Sequence, residues 1–288
     1  MKSFCIKTNN KNIINYLLVH LENIDIDNVY ISNKEFKIYE NVIVHYSGNN
    51  ISEFYNRLSD ILTNCIILFY ENNILKDILN MNYFYFSRNE NNCILDNCIS
   101  FLNDTNNIET NIRREHIYIA CLKYINENKS FVLDGFINFR LKEYMKTLDY
   151  VVDTCVNKFL VEREYSEFIN LLKLYIDSKN SQTDIVHLIY CNGESILIDE
   201  ERNLISIKDN IFNAKYLSDI TFSSNDYTLN TLLSILPKRI IIHEIDVEDE
   251  FINTLKLIFD NRVSICNHCS ICTTYKMINN KVVEKSHD

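Results

Sequence analysis

Three hydrophobic periods follow one another along the chain. In the first hundred residues they are mixed. Phe4 to Lys7 and Val42 to His45 read as short strands, while Ile14, Leu17, Leu18 and Leu21 fall at the spacing of an amphipathic helix over Ile13 to Ile24. Asn50-Ile51-Ser52-Glu53 opens a second helix carrying Phe54, Leu58 and Leu62. The polar stretch from Asn103 to Thr110 is the linker candidate.

From about Arg113 to Asp177 the helical period dominates. Ile137, Leu141, Tyr144, Leu148, Val152, Cys155 and Phe159 recur every three or four residues, and Lys142, Glu143, Lys146 and Asp153 fall between them. That spacing predicts a long amphipathic helix with its stripe in a core. A second stripe, Phe168, Leu171, Leu172 and Tyr175, is expected to pack in the same way, a partner groove being the other use of such a face.

After Ser181 the period changes again. Asp184 to Cys191 and Ser195 to Asp199 flank Asn192-Gly193, a hairpin signal. Ile220 to Ser223 reads as a strand and Asn225 to Leu236 as a helix stopped by Pro237. Arg239 to His243 is a continuous apolar strand, Val247 to Phe259 a helix, and Arg262 to Ile265 a further strand. A βαβαβ order implies parallel pairing with right-handed crossovers. The expected fold class is therefore α+β in three parts. Residues 1–104 form a small α+β region and 105–183 a central helical region. Residues 184–288 form a C-terminal α/β region with parallel strands and a cysteine-rich end.

Composition narrows the possible functions. With 47% hydrophobic and 24% charged residues, the chain can bury a sizeable core. A formal net charge of −10 weighs against nucleic-acid binding, which draws most of its affinity from neutralising phosphates. Arg113, Arg114, Arg140 and Lys142 could make a local basic face beside Phe136, Phe139 and Tyr144, but Glu143, Asp149 and Asp153 dilute it. Met1-Lys2-Ser3-Phe4-Cys5, followed by polar Asn9, Asn10 and Asn12, is not a secretory signal. Ten cysteines are then expected as thiols in a reducing cytoplasm rather than as disulfides. No apolar run reaches the roughly eighteen residues of a membrane helix, so no membrane insertion is expected. Gly48, Gly135 and Gly193 are the only glycines, which excludes the clustered-glycine phosphate loops, the dinucleotide fingerprint and the glycine-flanked serine elbow.

The sharpest chemical signal is Cys266-Asn267-His268-Cys269-Ser270-Ile271-Cys272. Short Cys-x-x-Cys steps let one loop present several soft ligands to one ion. A structural zinc site needs four ligands, and His243, His268, Cys191 or His287 could be the fourth. A solvent-side thiol cluster without metal, or a redox role for the thiols, is the other reading. An iron–sulfur cluster fits less well than zinc, because four local thiols are lacking. Ligands of open parallel sheets gather beyond the carboxyl ends of the strands. There Ser223, Ser224, Asp226, His243, Glu244 and Cys266 would share one edge, which favours His243. His187, inside the Ile185 to Tyr190 strand, reads as an ordinary core or edge histidine. No spacing positions a nucleophile beside a base.

The middle of the chain resembles a known family. Asp134-Gly135-Phe136-Ile137-Asn138-Phe139-Arg140-Leu141-Lys142-Glu143-Tyr144 is similar to a recurrent helix opening of the YtxC-like family. So are Val151-Val152-Asp153, Phe159-Leu160 and Glu164-Tyr165-Ser166-Glu167-Phe168-Ile169. Leu236-Pro237-Lys238-Arg239-Ile240-Ile241-Ile242-His243 and the cysteine-rich end complete a likeness over roughly residues 110 to 275. The resemblance implies a sporulation setting in an endospore-forming bacterium and brings no assigned ligand or catalytic residue. The expected function is a cytoplasmic, sporulation-associated protein with an interaction or structural role, an unidentified protein partner and a metal-binding loop. The competing expectation is a hydrolase or nuclease with its site at the carboxyl edge, around Asp226, His243 and the cysteines.

Overall fold

The structure, a computed structural model, describes residues 2–191, 193–205, 223–244, 249–266 and 268–275. It is an α+β fold with two four-stranded mixed sheets. The chain folds into two compact units, Met1–Val161 and Glu162–Asp288. The changes of period near residues 104 and 183 fall just ahead of elements rather than at that division. One precedes helix α4 (Ile108–Glu127) and the other strand β5 (Ile185–Cys191).

The first unit opens with β1 (Lys2–Thr8), α1 (Lys11–Glu22), β2 (Val29–Glu35) and β3 (Glu40–Tyr46). Helices α2 (Ile51–Asn82) and α3 (Arg88–Asn103) precede α4, and β4 (Ser130–Val132) and α5 (Leu133–Arg140) follow it. The strand order is β2-β3-β1-β4. β1 pairs antiparallel with β3 and parallel with β4. The central region is thus not purely helical, because its three-residue β4 completes the N-terminal sheet. Phe4 and Ile6 of β1 alternate inward with Val42 and Val44 of β3 and meet Leu17, Leu58 and Leu62 in one core. Asn50 accepts a hydrogen bond from the Glu53 N–H, and this cap starts α2.

Helix α6 (Lys142–Ser178) does not continue α5 directly, because Leu141 leaves helical geometry at φ −95° and ψ 44°. Leu141, Tyr144, Leu148, Val152 and Cys155 are buried as the first stripe predicts. Tyr144 donates to the buried Glu71 carboxylate at 3.1 Å, and Arg113 is ion-paired with the same carboxylate. Arg113 is therefore core, Arg114 is bonded to Asn64 and Asp60, and neither supplies a free basic face. The second stripe differs from expectation. Phe168 and Leu171 are 51% and 65% exposed, and the helix buries Ile169 and Ile176 instead.

The second unit is built on β5, β6 (Glu194–Ile198), β7 (Arg239–Glu244) and β8 (Val263–Ile265), in the order β6-β5-β7-β8. The expected hairpin is present: β5 and β6 pair antiparallel, and Gly193 takes the φ of +78° that a tight turn requires. β7 is parallel to both β5 and β8. α7 (Ser224–Ile235) and α8 (Glu250–Phe259) stand between the parallel strands in sequence. The Ile220 to Ser223 strand lies almost wholly outside the described residues, and among those residues the parallel series begins on β5.

Alternation decides what each face of this sheet carries. Val186, Leu188, Ile240 and Ile242 form one core with Ile169 and Ile176 of α6, Leu232 of α7, and Ile252, Leu255 and Ile258 of α8. All three helices therefore serve one face. The intervening positions, His187 and Ile189 of β5, Ile241 and His243 of β7 and Ser264 of β8, belong to the other face.

Candidate metal centre

The site is assembled on that second face. His243 is the fifth residue of β7 and is 1% exposed. Cys266 follows β8 directly, and its N–H donates to the Ile242 carbonyl at 2.8 Å, extending the β7–β8 ladder by one step. That step lays Cys266 beside His243. Cys269 precedes a helical stretch over residues 270–275, and Cys272 lies on it with 5% exposure.

Four side chains converge. The ligand atoms of His243, Cys266, Cys269 and Cys272 all lie within 4.8 Å of one another. His243 Nδ1 is 3.4 Å from Cys272 Sγ and 3.5 Å from Cys269 Sγ. Cys272 Sγ is 3.9 Å from both Cys269 Sγ and Cys266 Sγ. For a tetrahedral ion at ~2.3 Å from sulfur and ~2.05 Å from nitrogen, sulfur–sulfur edges are about 3.8 Å and sulfur–nitrogen edges about 3.6 Å. These four separations match those edges to within about 0.2 Å, and the remaining two, from Cys266 to Cys269 and to His243, lie within 4.8 Å. A His/Cys/Cys/Cys group at this spacing is compatible with a metal such as zinc.

Electrostatics sorts the thiols. Burial pushes Cys266 up to about 12, helped by the neighbouring Cys269 and Cys272 sulfurs. Burial also opposes ionisation of Cys269, but the N–H groups of Cys272 and Ile271 point at its sulfur and hold the thiol below the usual range. This is the stabilisation that a helix start gives a thiolate. Burial lowers His243, and His187 beside it lowers it further; both favour the neutral imidazole that a ligand requires.

Of the sequence-predicted candidates, the structure brings together Cys266, Cys269, Cys272 and His243. His268 is not in the group; it is exposed with φ 68°, a left-handed turn conformation. Cys191, at the end of β5, is not in the group either, and His287 lies outside the described residues. At the carboxyl edge, Asp226 is occupied as a helix cap. Its carboxylate accepts from the Ser223 N–H and hydroxyl at 2.9 and 2.8 Å, starting α7. Ser224 approaches Ser195 at 3.4 Å.

Sequence reasoning missed one participant. His187 Nδ1 lies 2.9 Å from His243 Nε2. The pairing register explains this: His243 stands opposite Ile189, and His187, two residues earlier, shares its face diagonally. A histidine two positions from the cross-strand partner of a candidate ligand is the signal that could have found it.

Comparison with known proteins places the chain. Residues 56–264 match the YtxC-like family, a span that includes His187 and His243 and stops just short of Cys266. A curated protein of Bacillus subtilis (strain 168), the uncharacterized protein YtxC, is 24% identical over 139 residues. That alignment spans 48% of this chain and 49% of the relative. No solved structure matches.

Proposed function

The chain belongs to the YtxC-like family, and from the geometry of its four-residue cluster we propose that this member carries a structural zinc centre. The observation behind the proposal is the convergence of three sulfurs and one imidazole nitrogen within 4.8 Å, with four of their six separations close to the edges of a tetrahedron around one ion. Four protein ligands fill a tetrahedral shell, so no position is left for a reacting water, and the role is structural rather than catalytic. A single ion is favoured over an iron–sulfur cluster. In a four-iron cluster each thiolate caps a different iron, and in a two-iron cluster the ligands divide in pairs between two irons, so the four donors do not converge on one point as they do here; the fourth donor here is also an imidazole.

The work of the metal is to hold the cysteine loop on the sheet. Helices α6, α7 and α8 all serve the opposite face. Binding through His243 ties Cys266, Cys269 and Cys272 to the second face of the sheet, at the ends of two parallel strands. The wider setting implied by the family is sporulation; a cytoplasmic location is proposed from the cysteines carried as thiols, and a role in binding a protein partner from the lack of any nucleophile–base spacing in the sequence. No helix among the described residues is long and apolar enough to cross a membrane.

Elemental analysis of protein purified under anaerobic conditions tests the reading. One zinc ion per chain is expected, falling to background when Cys266, Cys269 and Cys272 are all replaced by serine. Wild-type protein that holds neither zinc nor iron, even after incubation with either metal, overturns it.

A further inference from the structure

We propose that His187 is the positioning residue of this centre: it holds His243 in the tautomer that presents Nδ1 to the three sulfurs. The inference rests on the metal reading above and extends it to a residue outside the ligand set.

An imidazole can coordinate only through a nitrogen that carries a lone pair. The nitrogen of His243 that faces Cys269 and Cys272 is Nδ1. With a metal bound there, the ring proton must sit on Nε2. His243 is 1% exposed, so that N–H needs an acceptor within the protein. The structure places His187 Nδ1 at 2.9 Å from it. His187 must then carry its own proton on Nε2 and stay neutral.

Without metal, the pair has two concerted arrangements. In one, His187 donates to His243 and the proton on His243 Nδ1 points at the thiols. In the other, His243 donates to His187 and its Nδ1 lone pair points at the thiols. Only the second accepts an ion. His187 makes it available, because it offers an acceptor at the one place where the buried N–H of His243 can be satisfied. The rings lie 5.1 Å apart at 27°, so the contact also fixes the plane of the ligand. Each histidine is held by a β-strand, and the register of β5 on β7 sets the distance between them. Outer partners of metal-bound histidines act in this way, and their loss typically weakens metal binding by about 10–100-fold.

Competition for zinc against a chromophoric chelator tests the proposal in the full chain. His187→Leu removes the acceptor and is expected to raise the zinc Kd by about 10–100-fold. In His187→Asn the amide oxygen falls near the place of Nδ1, and this variant should stay within about 5-fold of wild type. His187→Gln puts the same oxygen too far along and should resemble the leucine variant; the Asn and Gln pair keeps the test decisive if the leucine variant does not fold. Nitrogen NMR of zinc-loaded wild type should show His243 protonated on Nε2 and His187 Nδ1 unprotonated, which a packing role for His187 does not require. Unchanged affinity in His187→Leu, or equal losses in the asparagine and glutamine variants, overturns the positioning role and leaves the metal reading intact. Wild type that takes up no zinc overturns both.

Discussion

Removing the metal should lower the stability of the protein by an amount that can be worked out in advance. A ligand that binds the native state alone stabilises by RT ln(1 + [L]/Kd), which is about 2.7 kcal/mol at a free concentration one hundred times Kd. The loop that an ion would close, from His243 to Cys272, is long, and a cross-link over some thirty residues removes about 3.6 kcal/mol of unfolded-chain entropy. The two figures agree in scale, so about 3 kcal/mol is the expected loss. For a chain of this size each kcal/mol moves Tm by about 2–4 °C, so zinc removal should lower the midpoint by about 6–12 °C. The assay is calorimetry of metal-free protein with and without one equivalent of added zinc. Cys272→Ser serves as the control. Cys272 is the sulfur nearest to the other three donors, at 3.4 Å from His243 Nδ1 and 3.9 Å from each companion thiol, and its loss should abolish the zinc-dependent increment. A midpoint that does not respond to zinc in wild type, or that responds equally in Cys272→Ser, refutes the reasoning.

Other outcomes follow from the two cores. Leu148 is fully buried, and Leu148→Ala should cost about 2–5 kcal/mol by denaturant titration. Arg113→Ala strands the buried Glu71 carboxylate and should cost about 3–5 kcal/mol, whereas Arg113→Met combined with Glu71→Gln should recover much of that loss. Ser223→Ala removes the cap of α7 and should lower stability by about 0.5–2 kcal/mol while leaving metal content unchanged.

The sequence revealed most where a side chain's neighbours are local. The hairpin of β5 and β6 was legible because Asn192-Gly193 sits between two alternating runs, and β7 and β8 because each is a short apolar run beside a helix. The cysteine loop was legible for the same reason: three of its ligands lie within seven residues. His243 could be inferred only through the topology, from the convergence of strand ends in a parallel sheet. His187 could not, because its role depends on which residue of β5 stands diagonal to His243, a matter of register. Strand β2 escaped notice because it is polar and mostly exposed, and β4 because its three residues lie between two helices inside a stretch of helical period. On α6, the positions from Phe168 onward keep an unbroken helical spacing, but the buried seam there passes through Ile169 and Ile176. These two residues pack in the second core whereas Leu148 and Val152 pack in the first, and spacing alone does not say which core a turn of helix meets.

The spread of the four ligands along the chain also bears on synthesis. His187 and His243 leave the ribosome well before Cys266, and chains fold as they emerge, N-terminal parts first. Strands β5 and β7 therefore emerge ahead of the cysteine loop that belongs to the same folding unit. When the cysteines follow, three donors arrive almost together and can capture an ion by themselves. The captured ion then recognises the one imidazole held on the sheet. Such an order makes the centre a late closure, completed only on a chain whose parallel strands are in register. A chain with β5 slipped against β7 would still bind metal on its loop but could not dock it.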